Sequence, residues 1–193
     1  MNRSKIGFLS GVSFSLLAGW YLFPALLYKS EPQPIQFNHK IHVESSGMTC
    51  TDCHATDSEG YFQGIPVIAK CEECHSAPMG ETPDEKILVE DYITPHKEIP
   101  WHVYSRQPDN AYFSHATHVT LGKMQCTDCH GTQGESEQLR IYQVNRISGY
   151  SRDIWGENIS GFNEPPGEGM KMEKCVTCHA KQNRKDGCIA CHK

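Results

Sequence analysis

The sequence predicts a mostly helical and irregular protein: one N-terminal transmembrane helix, then a small domain of short helices joined by long coil. Three observations predict it. Residues 6–28 form an unbroken uncharged run. All ten cysteines fall in five pairs spaced i, i+3, and each pair is followed at once by a histidine. The remainder of the 193-residue chain is polar and interrupted by many of its 16 Gly and 11 Pro, so it lacks the aliphatic supply for a large core of its own.

The run from Ile6 to Tyr28 reads IGFLSGVSFSLLAGWYLFPALLY, 23 residues without a charge. As a helix it is about 34 Å long, enough to cross a bilayer. Arg3 and Lys5 precede it, which predicts residues 1–5 on the cytoplasmic side and the bulk of the chain exported. Trp20, Tyr21 and Tyr28 fall toward the outer interface, and Pro24 kinks or ends the helix there. A cleaved signal peptide is the competing reading. The run is too long for a signal h-region and no clear A-x-A site follows it. Residues 29–36, KSEPQPIQ, read as a short Pro-containing linker, and residues 37–193 as one exported domain.

The five cysteine motifs are Cys50-Thr-Asp-Cys53-His54, Cys71-Glu-Glu-Cys74-His75, Cys126-Thr-Asp-Cys129-His130, Cys175-Val-Thr-Cys178-His179 and Cys188-Ile-Ala-Cys191-His192. C-x-x-C-H is the attachment signature of a c-type haem. On a helical turn, residues i, i+3 and i+4 share one face. Two thiols there can bond one porphyrin while the adjacent histidine reaches its iron from the same side. Zinc sites made from C-x-x-C pairs need no histidine after each pair. A thioredoxin-like motif occurs once, in a βαβ setting. A disulfide framework would not confine every cysteine to such pairs. The motifs therefore predict five covalently bound haem c groups, with His54, His75, His130, His179 and His192 as proximal iron ligands. The porphyrins would supply the apolar core, and the haem-free chain is expected to be largely unfolded. Covalent attachment takes place outside the bacterial cytoplasm, which agrees with an anchor in the inner membrane and a periplasmic domain.

An internal repeat carries further ligand candidates. Residues 37–54, FNHKIHVESSGMTCTDCH, and residues 113–130, FSHATHVTLGKMQCTDCH, match at 10 of 18 positions. The unit is Phe-x-His-x-x-His, seven residues, then the haem motif. His39, His42, His115 and His118 are thus two matched pairs. Two histidines at i, i+3 diverge on a helix, so each can serve a different iron.

Elsewhere, residues 60–66 read as a turn. Residues 81–91, ETPDEKILVED, read as a short helix capped by Thr82 with Pro83 at N1, its charges forming a solvated face. The next stretch contributes His96 and His102, and its Trp101, Tyr104, Tyr112 and Phe113 suit haem packing and core. Residues 131–174 contain no cysteine and no histidine. Residues 137–144 there suit a strand or a short helix equally, and the rest is Gly- and Pro-punctuated loop, long enough to be functional or a binding surface. Arg146, Arg152 and Trp155 are candidates for propionate or partner contacts, on an equal footing with a plain haem cover. Met170 and Met172 could offer a thioether to an iron. The fourth and fifth motifs start 13 residues apart, which places two haems in near contact, and the chain's end lies within the haem array. The formal charge of -5 and the lack of a basic stretch exclude a nucleic-acid surface.

The ligand count separates the chemistries. Of 11 histidines, five are proximal candidates. His39, His42, His96, His102, His115 and His118 remain as distal candidates. Five bis-histidine irons use five of them. The sixth is open to two roles, a surface residue or a ligand to an additional, non-covalently bound haem. Filled sixth positions suit the passing of single electrons and not the binding of a small substrate. The expected activity is electron hopping rather than catalysis by the chain alone. A stand-alone membrane-anchored quinol dehydrogenase and a haem reductase with an open iron are the alternatives. The first is disfavoured by five motifs rather than four and by the missing C-x-x-C-H-x-Met pattern.

At these paired motifs the chain resembles the class III multihaem cytochromes c. In that family the two histidines of each pair serve different haems. The resemblance implies His39 as distal ligand to the Cys50–Cys53 haem and His115 to the Cys126–Cys129 haem, with His42 and His118 serving other haems. With the anchor and the segment IPWHVYSRQPDNAYFSHATHV, the chain is similar to a narrower group, the membrane-anchored multihaem subunits of alternative complex III and of the related menaquinone reductase complex Qrc of sulfate reducers. Members from alternative complex III carry a histidine four residues after the Trp, where this chain has Ser105. The GYSRDIWG segment resembles the Qrc type. The resemblance implies assembly with a polytopic membrane subunit that handles quinone and with iron–sulfur and molybdopterin-like subunits. It implies electrons received from soluble periplasmic cytochromes c, or, in the alternative complex III type, flow in the reverse direction.

Overall fold

The computed structural model describes residues 3–151, 171–184 and 187–192. Helix α1 (Arg3–Leu17) runs through a π-helical turn at Ala18–Leu22 into α2 (Phe23–Leu27). The π turn ends at Leu22, two residues before Pro24, whose missing N–H breaks the regular ladder. The stretch Arg3–Leu22 is long and apolar enough to cross a membrane, and none of it is buried in the protein. Its exposed Phe8, Phe14, Leu16 and Leu17 suit lipid contact.

Strand β1 (Tyr28–Glu31) follows without a break and pairs antiparallel with β2 (Tyr142–Asn145), Tyr28 opposite Asn145 and Glu31 opposite Tyr142. This two-stranded ribbon is the one sheet among the described residues. It resolves residues 137–144, where strand and helix were equally compatible, in favour of a strand at their end. It also changes the picture of residues 29–36, expected as a linker. Beyond β1, the Gln33 side chain is bonded in both directions to the His102 main chain, at 2.9 and 3.0 Å. Ile35 is 4% exposed. Gln36 donates its N–H to Asp84 and accepts from Leu139 N–H. The prolines set an extended path, and the residues between them are held at almost every step.

Each described haem motif begins on a helical turn. These are α3 (Cys50–Cys53), the C-terminal half of α4 (Ile68–His75), α6 (Cys126–His130), the middle of α7 (Met172–Lys181) and α8 (Cys188–Cys191). Turns this short are not stable alone. In the two C-T-D-C-H motifs the Asp caps its own turn: Asp52 accepts from Thr49 N–H at 2.6 Å and Asp128 from Gln125 N–H at 2.8 Å. α5 (Pro83–Ile87) starts as expected, with Thr82 accepting the Glu85 N–H, and runs on through a π turn at Leu88–Ile93.

The core is small. Ile35, Ile68, Val89, Ile93 and Ile99 are its buried apolar residues, with Cys71, Leu88, Tyr92 and Trp101 packed against them. It joins the segment after β1, through Ile35, to the second motif. Ile93 is 4% exposed, so Ile93→Ala is expected to destabilise the haem-loaded protein by about 2–5 kcal/mol, measured by denaturant titration.

Candidate haem-binding site

The two Phe-x-His-x-x-His segments fold alike. Each pair of histidines sits where a helical turn passes into a π turn, at Ile41–Ser45 and Ala116–Leu121. The wider π turn rotates the second histidine away from the first. His42 donates Nδ1–H to Asn38 O at 2.8 Å, and His118 donates Nδ1–H to Ser114 O at 2.9 Å. His39 Nδ1 lies 3.1 Å from the Ser136 hydroxyl, which itself donates to Gln133 O. A carbonyl only accepts, so His42 and His118 carry Nδ1–H and keep the Nε2 lone pair for a metal. The phenyl rings fix the same orientation. Phe37 stacks on His42 at 4.3 Å and meets His39 edge-on at 4.7 Å. Phe113 stacks on His118 at 4.7 Å and meets His115 edge-on at 4.9 Å.

These histidines face the motif histidines. The rings of His115 and His130 are 6.3 Å apart and 9° from parallel. His118 faces His179 at 6.0 Å and 19°, and His42 faces His75 at 6.1 Å and 48°. With metal–imidazole bonds of about 2 Å on each side, ring centres on opposite faces of one metal lie about 6 Å apart. Burial holds the pKa of His39, His54, His115 and His130 below the ordinary value. Neighbouring imidazoles add to this: His54 then His42 act on His39, His130 acts on His54, and His130 then His118 act on His115. A neutral imidazole is the form that binds iron.

The thiols fit a haem better than a redox dithiol. Burial pushes Cys53, Cys71, Cys126, Cys129 and Cys175 up from the ordinary thiol value, whereas a nucleophilic cysteine is pushed down. Their neighbours order the motifs in space. After burial, Cys53 acts on Cys71, Cys50 on Cys126, Cys175 and Cys178 on Cys129, and Cys191 on Cys175. By these neighbours the motifs read as a file, second, first, third, fourth, fifth, with the fifth also bonded at Cys191 O to Tyr112 N–H just ahead of the third motif's histidine pair. The imidazole pairs follow it, since His42 beside the first motif faces the second and His118 beside the third faces the fourth. Among the described residues, no three His, Cys, Asp or Glu side chains converge on a free-ion site. The donor set fits a thioether-linked haem with imidazole ligands.

Two comparisons with known families agree with this donor set. A family described as cytochrome c7 and related cytochrome c matches residues 111–193. The class III cytochrome C family matches residues 24–138, more than half of the chain. This chain is a class III cytochrome c. Covalently bound haem c goes with that membership. This class III cytochrome c is also similar to the menaquinone reductase, multiheme cytochrome c subunit, of Nitratidesulfovibrio vulgaris strain Hildenborough. The two are 36% identical over 201 residues, which cover 96% of this chain and 89% of that one. The mostly helical and irregular fold with little sheet is the one expected from the sequence.

The remaining candidates sit apart from the facing pairs. His96, at a positive φ of 51°, has a side chain 72% exposed and lies 3.7 Å from Glu72. His102 stacks on Tyr142 at 5.1 Å, 3.9 Å from Glu31. Trp101 packs on the core, Tyr104 lies beside Tyr142 under the Arg140 guanidinium, and Tyr112 and Phe113 are exposed. Arg146 donates its main-chain N–H to Leu27 O at the foot of the anchor. Met172 is exposed at the start of α7. Arg152, Trp155 and Met170 lie outside the described residues.

Three residues near the ligands escaped the sequence reading. Ser136 on His39 has no motif. Phe62 lies between His54, at 6.2 Å, and His115, at 5.0 Å. Its loop is pinned because a Cβ at Gly60 would collide with the Thr120 side chain, and φ there is +87°. The turn expected at residues 60–66 is therefore part of the first-to-third contact. Glu85 was read as one charge on a solvated face. Its side chain is 12% exposed and lies 2.9 Å from His75 Nδ1. The solvated-face reading fails there because the carboxylate folds back over α4.

Proposed function

We propose that this chain is the electron-relay subunit of a membrane menaquinone oxidoreductase. It holds five covalently bound haem c groups and passes single electrons between soluble periplasmic cytochromes c and the other subunits of the complex. The facing of His115 with His130, near-parallel at 6.3 Å, carries the reading. The likeness to a menaquinone reductase subunit supports the complex.

In this reading the thiols of each pair bond one porphyrin, and His54, His75, His130, His179 and His192 bind from the motif side. His42 serves the second motif, His115 the third, His118 the fourth and His39 the first. Haem iron cycles between two oxidation states and so supplies the electron-carrying chemistry. The imidazole pairs would hold each iron from both sides and so would leave no position for a small-molecule substrate. The Nδ1–H bonds to Asn38 and Ser114 hold the rings in place through each turnover. The file of motifs sets the route, from the second through the first, third and fourth to the fifth. Residues 6–28 anchor the chain in the inner membrane, with residues 1–5 cytoplasmic and residues 37–193 periplasmic; the length and apolar character of Arg3–Leu22 support this. The quinone-handling, iron–sulfur and molybdopterin-like partners follow from the resemblance.

For the fifth motif, His102 is the better-held distal candidate, its backbone tied to Gln33. His102→Ala is expected to turn one iron high-spin, while His96→Ala leaves the low-spin signal intact. Electron paramagnetic resonance of the two purified variants checks both. The whole reading is tested by purifying the native complex and identifying its subunits by mass. Recovery of the chain alone, oxidising quinol by itself, would overturn the relay in favour of a stand-alone quinol dehydrogenase.

A further inference from the structure

We infer that Glu85 is a positioning residue that sets the reduction potential of the haem held by Cys71, Cys74 and His75, keeping it below the value a neutral partner would give. The inference rests on the haem reading of that motif.

The carboxylate is built into place. Glu85 Oε1 accepts from His75 Nδ1–H at 2.9 Å and from Met79 N–H at 2.7 Å, and Oε2 accepts from Gly80 N–H at 2.8 Å. Thr82 caps the Glu85 N–H at 3.2 Å, which fixes the start of α5 beneath it. A Cβ at Gly80 would lie 2.9 Å from Glu85 Oε2, so glycine permits the close approach. The side chains of His75 and Glu85 are 19% and 12% exposed, so water screens the contact weakly.

Two of the other facing imidazoles are held differently. His42 and His118 donate to main-chain carbonyls, which carry no net charge. A carboxylate on the far nitrogen makes the ring a stronger electron donor to its metal. It also places a negative charge where the oxidised form carries one more positive charge than the reduced form. One electron enters from the neighbouring motif, no bond to the protein forms or breaks, and the proton stays on Nδ1. The oxidised form gains more from the carboxylate, so the potential falls.

The test uses the full-length, haem-loaded protein in detergent. Glu85→Gln keeps the size and an acceptor oxygen but removes the charge. In a spectroscopic redox titration, one component is expected to move to higher potential while the others stay. In the unchanged protein, one low-spin resonance is expected with the narrowed g-spread of an imidazolate-like ligand, and it should widen in the variant. Coincident titrations would overturn the inference, as would the lack of a narrowed resonance in the unchanged protein, which needs no variant to fold. Intact mass separates this outcome from failure of the haem reading: a peptide spanning Cys71–Cys74 without added haem would remove the basis itself.

Discussion

Made without haem attachment, or with all ten cysteines changed to serine, residues 37–193 are expected to show no cooperative unfolding transition. The buried apolar set among the described residues is five aliphatic side chains, clustered around the second motif. Beside the other motifs the apolar side chains stand open: Leu121 is 77% exposed, Val176 61% and Ile189 89%. Fixing a residue's backbone costs about 1–2 kcal/mol, which a core of that size does not offset over this length of coil. Helices of four or five residues add little by themselves. Circular dichroism during heating, with limited proteolysis, checks the expectation. The N-terminal helix should persist in detergent while the remainder is cut at many points. A sharp transition in the haem-free domain would show that the polypeptide folds by its own contacts. The single-site version is Cys126→Ser with Cys129→Ser. It removes one haem from the intact mass and opens the middle of the file, where Cys50 adjoins Cys126.

His118→Ala is expected to convert about one fifth of the low-spin iron to high-spin, one of five carriers. The haem expected to be affected is the one on Cys175 and Cys178, although His118 lies nearer in sequence to Cys126. Its ring faces His179 at 6.0 Å, while its neighbour His115 faces His130 at 6.3 Å. Adding Cys175→Ser and Cys178→Ser to the variant should abolish the new high-spin signal. If the signal survives, the ligand assignment is wrong. His115→Ala should give a high-spin signal of similar size that instead disappears with Cys126→Ser and Cys129→Ser. Electron paramagnetic resonance and the visible spectrum read both outcomes.

Much of this was legible in the chain because haem attachment is local. Spacing i, i+3, i+4 defines a face without any tertiary information, so the cysteines and the histidines beside them could be read directly. The repeat carried the paired histidines in the same way. What sequence could not give was long-range. The Nδ1 partner of His75 lies ten residues away on another helix, hidden in a charged run. Phe62 reaches His115 from a loop 53 residues earlier, held by the steric demand at Gly60. Residues 29–36 looked like a spacer because prolines and polar residues compose both spacers and hydrogen-bonded edges. Only the pairing with β2 and the two-way bond of Gln33 to His102 tell them apart.

The ribbon of β1 with β2 has a mechanical consequence. Tyr28 follows the last residue of the apolar helix and is already paired with Asn145, so no slack chain separates that helix from the ribbon. A domain on a flexible tether would sweep a volume and meet its membrane partners only part of the time. In the proposed anchoring, the height and bearing of the redox domain are set at this ribbon. Inserting a few glycines and serines between Leu27 and Tyr28 would turn a fixed terminal into a swinging one without touching a single iron ligand.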